Sequence, residues 1–113
     1  NTLTVYDWEM ASVGPGVLDL LGFIQGASWQ FEQLPVKTGE IISRYRARLV
    51  ESGVSEQDDE SWQADWDHAV MWTFVTGWVE LLAQVHPSII KTRMAALEEV
   101  IFEPVKAAIK RQL

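Results

Sequence analysis

The stretch from residue 69 to residue 85 most constrains the fold, because nearly all of its side chains are apolar. Several of them are bulky, among them Trp72, Phe74 and Trp78. A helix of this composition must be buried, either in a membrane or among other helices. A membrane span needs about 20 apolar residues, and Glu80 interrupts the run before it reaches that length. The sequence therefore predicts the central buried helix of a helical domain, with no membrane as partner.

Amphipathic helices are predicted on both sides of this run. Pro35 breaks the chain, and a helix is expected from about residue 37 to Gly53, where a glycine is the natural left-handed stop. Ser55 is expected to cap the next helix and Ser88 the last one. Pro104 should kink or interrupt that last helix, because proline removes a backbone donor. The predicted fold is mainly α-helical, with four or five helices.

The composition limits the classes of function. The chain has 113 residues, 48% of them apolar, which is enough for one domain with its own core. Its net charge of −7 argues against nonspecific binding to nucleic acid, which needs clustered Lys and Arg. An acidic surface suits a cationic substrate, and it suits ordinary solubility equally well. The absence of cysteine excludes a disulfide framework and a thiolate metal site. No signal peptide is recognised at the start, so the predicted location is cytoplasmic.

The segment from Leu3 to Leu21 combines an expected strand, a turn and a helix start. The residues up to Asp7 suit a strand, because β-branched and aromatic side chains fit a pleated surface. Gly14-Pro15-Gly16 then turns the chain, and Asp19 begins or nearly begins a helix. A carboxylate at a strand end is well placed to meet a metal ion, which prefers oxygen ligands. Either carboxylate alone is also a common turn former or helix cap.

This segment resembles a known family. Asp7-Trp8-Glu9, then Gly14-Pro15, then Asp19-Leu20 is similar to the pattern near the end of the catalytic core in the aminoglycoside phosphotransferase and choline kinase family, which has the protein-kinase-like fold. The resemblance implies that Asp7 binds the magnesium that bridges the nucleotide phosphates, and that Asp19 braces the catalytic loop. Mg²⁺ and ATP or GTP are then the expected cofactor and cosubstrate. The expected reaction transfers the γ-phosphoryl group to a hydroxyl of a small molecule.

The resemblance covers the end of that core. The family's His-x-Asp loop, which carries the catalytic base, does not occur in the sequence, and the nucleotide-binding lobe is also missing. A strand at the start of the chain needs a partner strand, which we expect upstream. Residues 1–113 are therefore expected to form the C-terminal part of a kinase-like lobe, with one N-terminal strand and then four or five helices. Alone, this part should be inactive.

An acidic cluster near the third expected helix is the candidate substrate site. In the family, helices after the metal segment contribute acidic side chains that bind the amino groups of cationic substrates, and here Asp65 and Asp67 are the candidates. Negative charge at a helix start also has a structural cause, because the helix dipole favours it. In the preceding helix, Arg44, Arg46 and Arg48 fit either a phosphate site or, more commonly, a solvated face.

Two other functions fit parts of the sequence. Six tryptophans in a short chain fit a noncatalytic helical binding module or a pseudokinase remnant, because large aromatic side chains dominate interface energetics. Asp7 and Glu9 would share a face of the expected strand, as an acid–base pair of a hydrolase does. The hydrolase hypothesis leaves the Gly14-Pro15 turn and Asp19 unexplained.

Overall fold

The structure, a computed structural model, describes residues 2–4, 13–31 and 34–113. Within these ranges every element of regular structure is helical, so the prediction of a mainly α-helical chain is confirmed. The expected N-terminal strand falls mostly on residues 5–12, which lie outside the described ranges. Residues 2–4 form no strand.

The described helices form four rods, where a rod is a single helix or a set of helical segments that follow each other without a break. The first two rods are single α-helices, and each of the other two contains a π-helical turn. The elements are α1 (Gly16–Gln30), α2 (Thr38–Glu51), α3 (Asp59–Thr73), the first π segment (Phe74–Trp78), α4 (Val79–Gln84), α5 (Pro87–Leu97), the second π segment (Glu98–Phe102) and α6 (Glu103–Gln112).

The ends of α2 and α3 follow local signals. Gly53, just beyond α2, has a φ of 93°, so the predicted left-handed glycine stop is confirmed. The cap of α3 is Asp58, which accepts a hydrogen bond from the Ser61 N–H at 2.8 Å. The prediction that Ser55 caps this helix is wrong, because the helix begins only at Asp59 and Asp58 takes the cap position.

The last rod begins at a different cap from the predicted one, and its α-helix is interrupted before Pro104 rather than at it. His86, not Ser88, is its cap, and the His86 Nδ1 accepts from the Ser88 N–H at 3.1 Å. The interruption expected at Pro104 takes the form of the second π segment just before it. Pro104 itself lies in the first turn of α6, where a missing N–H is tolerated.

Two apolar clusters hold the rods together. In the first, α3 packs against α1 and α6, and in the second, α1 and the first π segment pack against the last rod. Trp78 lies in the second cluster, and its indole N–H donates to Gln25 Oε1 at 2.8 Å. The buried members of the first cluster are Val17, Leu21, Ala69, Val70, Val105 and Ala108.

The third rod, which contains the apolar stretch 69–85 and which we call the central rod, is buried on one side only. The prediction that this stretch forms a buried helix is therefore wrong for its other side. Val70 and Trp78 are buried, but Trp72, Val75 and Val79 are 62%, 70% and 49% exposed. No element in the described part of the chain covers that second side. The radius of gyration is 15.2 Å, against about 13 Å for a compact chain of this length. Among the described helices, none has both the length and the apolarity to cross a bilayer.

Candidate functional site

A cleft of about 310 Å³ lies between the start of α1 and the middle of α3, and we call it the α1–α3 cleft. Its walls are mostly apolar, with one carboxylate and one imidazole among them. Because α1 begins directly after Gly14 and Pro15, the cleft opens beside the segment that carries the family resemblance. The lining residues are Pro15, Val17, Leu18, Asp65, His68, Ala69 and Trp72.

One face of α3 forms a wall of this cleft. Asp65, His68 and Trp72 follow each other at spacings of three and four, which places them in a row on the helix surface. Trp72 is 62% exposed, so the apolar part of the wall is open to solvent. This wall can contact the apolar body of a ligand while a polar end reaches Asp65.

Asp65 is the acidic group of the cleft. Its side chain is exposed, and Asp65 Oδ2 accepts one hydrogen bond from Gln57 Nε2 at 2.8 Å. An ionised carboxylate has about four acceptor positions, so Asp65 keeps capacity for a cationic group. Of the two predicted substrate-binding residues, this is the one that the structure places in the cleft.

Asp67 points away from the cleft. Two residues along an α-helix correspond to a turn of about 200°, and the Asp67 side chain is fully buried against α6. Its oxygens accept hydrogen bonds from Arg111 Nε and Nη2 at 2.8 and 2.7 Å, from Gln63 at 2.9 Å and from Gln112 at 3.1 Å. The Arg111 hydrogen bonds, opposed by burial, lower the pKa of Asp67 from 3.8 to about 2. Asp67 therefore fixes the end of α6 to α3.

The predicted bracing residue, Asp19, lies near the start of α1, and the predicted metal ligand, Asp7, falls outside the described ranges. Asp19 lies exposed in the first turn of α1, where the helix dipole favours a negative charge. The cap position belongs to Pro15, so Asp19 is not the cap. No group in the described ranges hydrogen-bonds to the Asp19 side chain. Asp7 lies within residues 5–12 and so outside the description.

The arginines of α2 all have partners. Arg46 lies over the Trp62 ring, 5.0 Å from its centroid, and donates to Asp59 at 2.9 Å. Arg44 and Arg48 are largely exposed, which agrees with a solvated face, and pair with Glu40 and Glu51. In residues 2–4, 13–31 and 34–113, no three His, Asp or Glu side chains converge to hold a metal ion.

The apolar half of the cleft was not predicted from the sequence, although a signal for it exists. Trp72 follows Asp65 and His68 in one row, and that row contains the exposed tryptophan that the apolar run had assigned to the core. No family model matches the chain, and neither the curated proteins nor the solved structures give a match.

Proposed function

We propose that the chain is the C-terminal part of a small-molecule phosphotransferase of the aminoglycoside phosphotransferase and choline kinase type, with the protein-kinase-like fold. One observation supports this most directly. The α1–α3 cleft opens beside the Gly14-Pro15 turn, within the segment that resembles the family, and it carries the carboxylate of Asp65. A cationic acceptor held there would lie close to the expected metal segment.

In this proposal each acidic residue has a separate role. Asp7 is the ligand of Mg²⁺, which when bound offsets negative charge on the phosphoryl groups of ATP or GTP. Asp19 braces the catalytic loop contributed by the rest of the polypeptide. Asp65 attracts the amino group of the acceptor. Asp67 supports the wall rather than the substrate, because its oxygens already accept four hydrogen bonds. The protein acts in the cytoplasm.

The acceptor is expected to combine an amino group, an apolar body and a hydroxyl. The amino group suits Asp65, and the apolar body suits the Trp72 side of the cleft. The net charge of −7 adds a long-range attraction for such a cation. Neither nucleic acid nor a membrane has a place in this proposal.

The test is ADP or GDP formation by the full polypeptide that contains this chain, with a panel of amino alcohols as acceptors. Asp7→Ala should abolish turnover while the circular dichroism spectrum is retained. Asp65→Asn should raise KM for an amino alcohol about tenfold, with a smaller change for an uncharged alcohol. Glu60→Gln, an exposed acidic change elsewhere on α3, should leave both KM values unchanged. Turnover of Asp7→Ala at the wild-type rate would refute the proposal.

A noncatalytic helical binding module is the second candidate. Trp72, Val75 and Val79 form an exposed apolar row on the central rod, and large exposed aromatic side chains are typical of interaction surfaces. The two candidates differ in what covers this row. In a phosphotransferase a bound amino alcohol should protect Trp72 from acrylamide quenching, because Trp72 lines the acceptor cleft. In a binding module Trp72 should stay accessible until a separate partner is added.

A further inference from the structure

A second cleft lies at the other end of α1. It has a volume of about 420 Å³ and lies between the end of α1, the start of α2 and the last rod. None of its lining residues belongs to the α1–α3 cleft. Its polar groups are the hydroxyls of Ser28 and Thr38, the ammonium of Lys37 and the carboxylate of Glu99.

The start of α2 borders this cleft through Lys37 and Thr38. Lys37 is at the cap position, and its side chain forms no capping hydrogen bond. Its carbonyl accepts from the N–H groups of Glu40 and Ile41. The N–H groups of Thr38 and Gly39 have no partner in the described ranges. The positive end of the helix dipole and two unused donors favour an anionic group at this position.

Two buried polar side chains of α1 lie beside the cleft, and one of them, Ser28, lines it. Ser28 is 6% exposed, and its hydroxyl forms no hydrogen bond within the described residues. Gln25 is 2% exposed, and Gln25 Nε2 has no hydrogen-bond partner among the residues that the structure describes. The orientation of this amide is fixed by Trp78, because an indole N–H can only donate and so requires Oε1 opposite it. Exchanging the nitrogen and oxygen of this amide would break the hydrogen bond from Trp78. Gln25 Nε2 is therefore the atom that is left without a partner.

A small void lined by Gln25 lies next to the open cleft. The void has a volume of about 10 Å³, and Ser28, Ala96 and Val100 line both the void and the cleft. This volume is close to the minimum for one water molecule. A water there can accept from Gln25 Nε2, which satisfies a donor that is costly to leave unpaired.

Two opposite charges face the cleft without pairing. Lys37 and Glu99 both line it, yet the structure contains no ion pair between them. Neither forms an ion pair with any other residue that the structure describes. A ligand that carries both charges, each opposite its counterpart, would satisfy the two side chains together. A simple anion would leave Glu99 as a like charge opposing it.

We propose that this cleft is a second ligand site, for a small zwitterion of the free α-amino acid class. The carboxylate of the ligand accepts from the N–H groups of Thr38 and Gly39 and pairs with Lys37. Its ammonium group pairs with Glu99, and an aliphatic side chain contacts Val36 and Val100. The site uses none of the residues assigned to phosphoryl transfer, so it holds or fails independently of the proposed function.

The test is titration of the ¹⁵N-labelled chain with norvaline, followed through the backbone amide signals. Saturable shifts are expected at Thr38, Gly39 and Val100. Pentanoate lacks the amino group and butylamine lacks the carboxylate, so each should bind about tenfold more weakly than norvaline, because a charge-assisted hydrogen bond is lost.

Matched variants separate the two charges. Lys37→Met and Glu99→Gln should each weaken norvaline binding about tenfold. Lys91→Met and Glu56→Gln, which change exposed charges outside the cleft, should leave the binding constant unchanged. Absence of saturable shifts overturns the proposal. Equal binding of pentanoate and norvaline, with no effect of Glu99→Gln, overturns it in favour of a plain anion site.

Discussion

Replacing Arg111 with methionine tests the contact between Arg111 of α6 and Asp67 of α3, the helix that forms one wall of the α1–α3 cleft. In Arg111→Met, Asp67 loses its only described ion pair and two of its four hydrogen bonds, but it stays buried. Removing one partner of a buried pair costs about 3 to 5 kcal/mol. Because the Arg111 side chain is 46% exposed, we expect a loss below that range, about 2 to 3 kcal/mol in the free energy of unfolding.

The pKa of Asp67 gives a similar free energy for the stabilisation that its buried contacts provide. The Arg111 hydrogen bonds are the largest cause of its fall from 3.8 to about 2. One pKa unit corresponds to about 1.4 kcal/mol. The difference between 3.8 and about 2 therefore corresponds to about 2 kcal/mol of stability at neutral pH. The folded-state pKa lies below that of the unfolded chain. This stabilisation is therefore complete above about pH 5 and is lost as the pH falls towards 2.

Urea unfolding followed by circular dichroism measures both effects. Lys110→Met removes a neighbouring exposed cation from the same turn of α6 and should cost less than about 0.5 kcal/mol. Asp67→Asn should lose less stability than the wild type between pH 5 and about pH 3, because the titrating group is absent. Equal costs for Arg111→Met and Lys110→Met, or parallel acid profiles for wild type and Asp67→Asn, would refute the reasoning.

Two further substitutions test local packing by the same urea assay. In Gly16→Ala the new Cβ would lie 2.5 Å from Tyr45 Oη, so we expect a loss of about 1 kcal/mol or more. Gly22→Ala, whose new Cβ meets no atom of the described residues within 4 Å, should instead gain up to about 1 kcal/mol; a gain at both glycines would contradict the Tyr45 contact. Trp78→Phe leaves Gln25 Oε1 buried without a donor and should cost about 1 to 3 kcal/mol. An unchanged midpoint would show that this hydrogen bond contributes nothing.

The helices were the predictable part of the fold. The start and end of α2 follow from Pro35, from the apolar spacing and from Gly53, because these signals act within a few residues. The one-sided burial of the central rod was not predictable. Whether Trp72 faces protein or solvent depends on what packs against it, and an apolar run looks the same in both cases.

The candidate site was predictable as a region but not as a set of residues. Residues two apart on a helix must face different sides, so Asp65 and Asp67 could not both line one surface. The sequence did not say which one turns inward. That choice follows from Arg111, which lies 44 residues further along and meets Asp67 only after the last rod folds back. The cleft likewise depends on α1 packing against α3.

The two π segments make the rods sensitive to residue number. A π turn holds one residue more than the α turn it replaces, so it rotates everything after it by about 100° around the helix axis. Deleting one residue within Phe74–Trp78 would leave the rod unbroken and turn Leu82 away from the apolar cluster it packs against. In these two rods, the number of residues in the π segment thus determines where the later side chains point. It does so as much as the chemical character of those side chains.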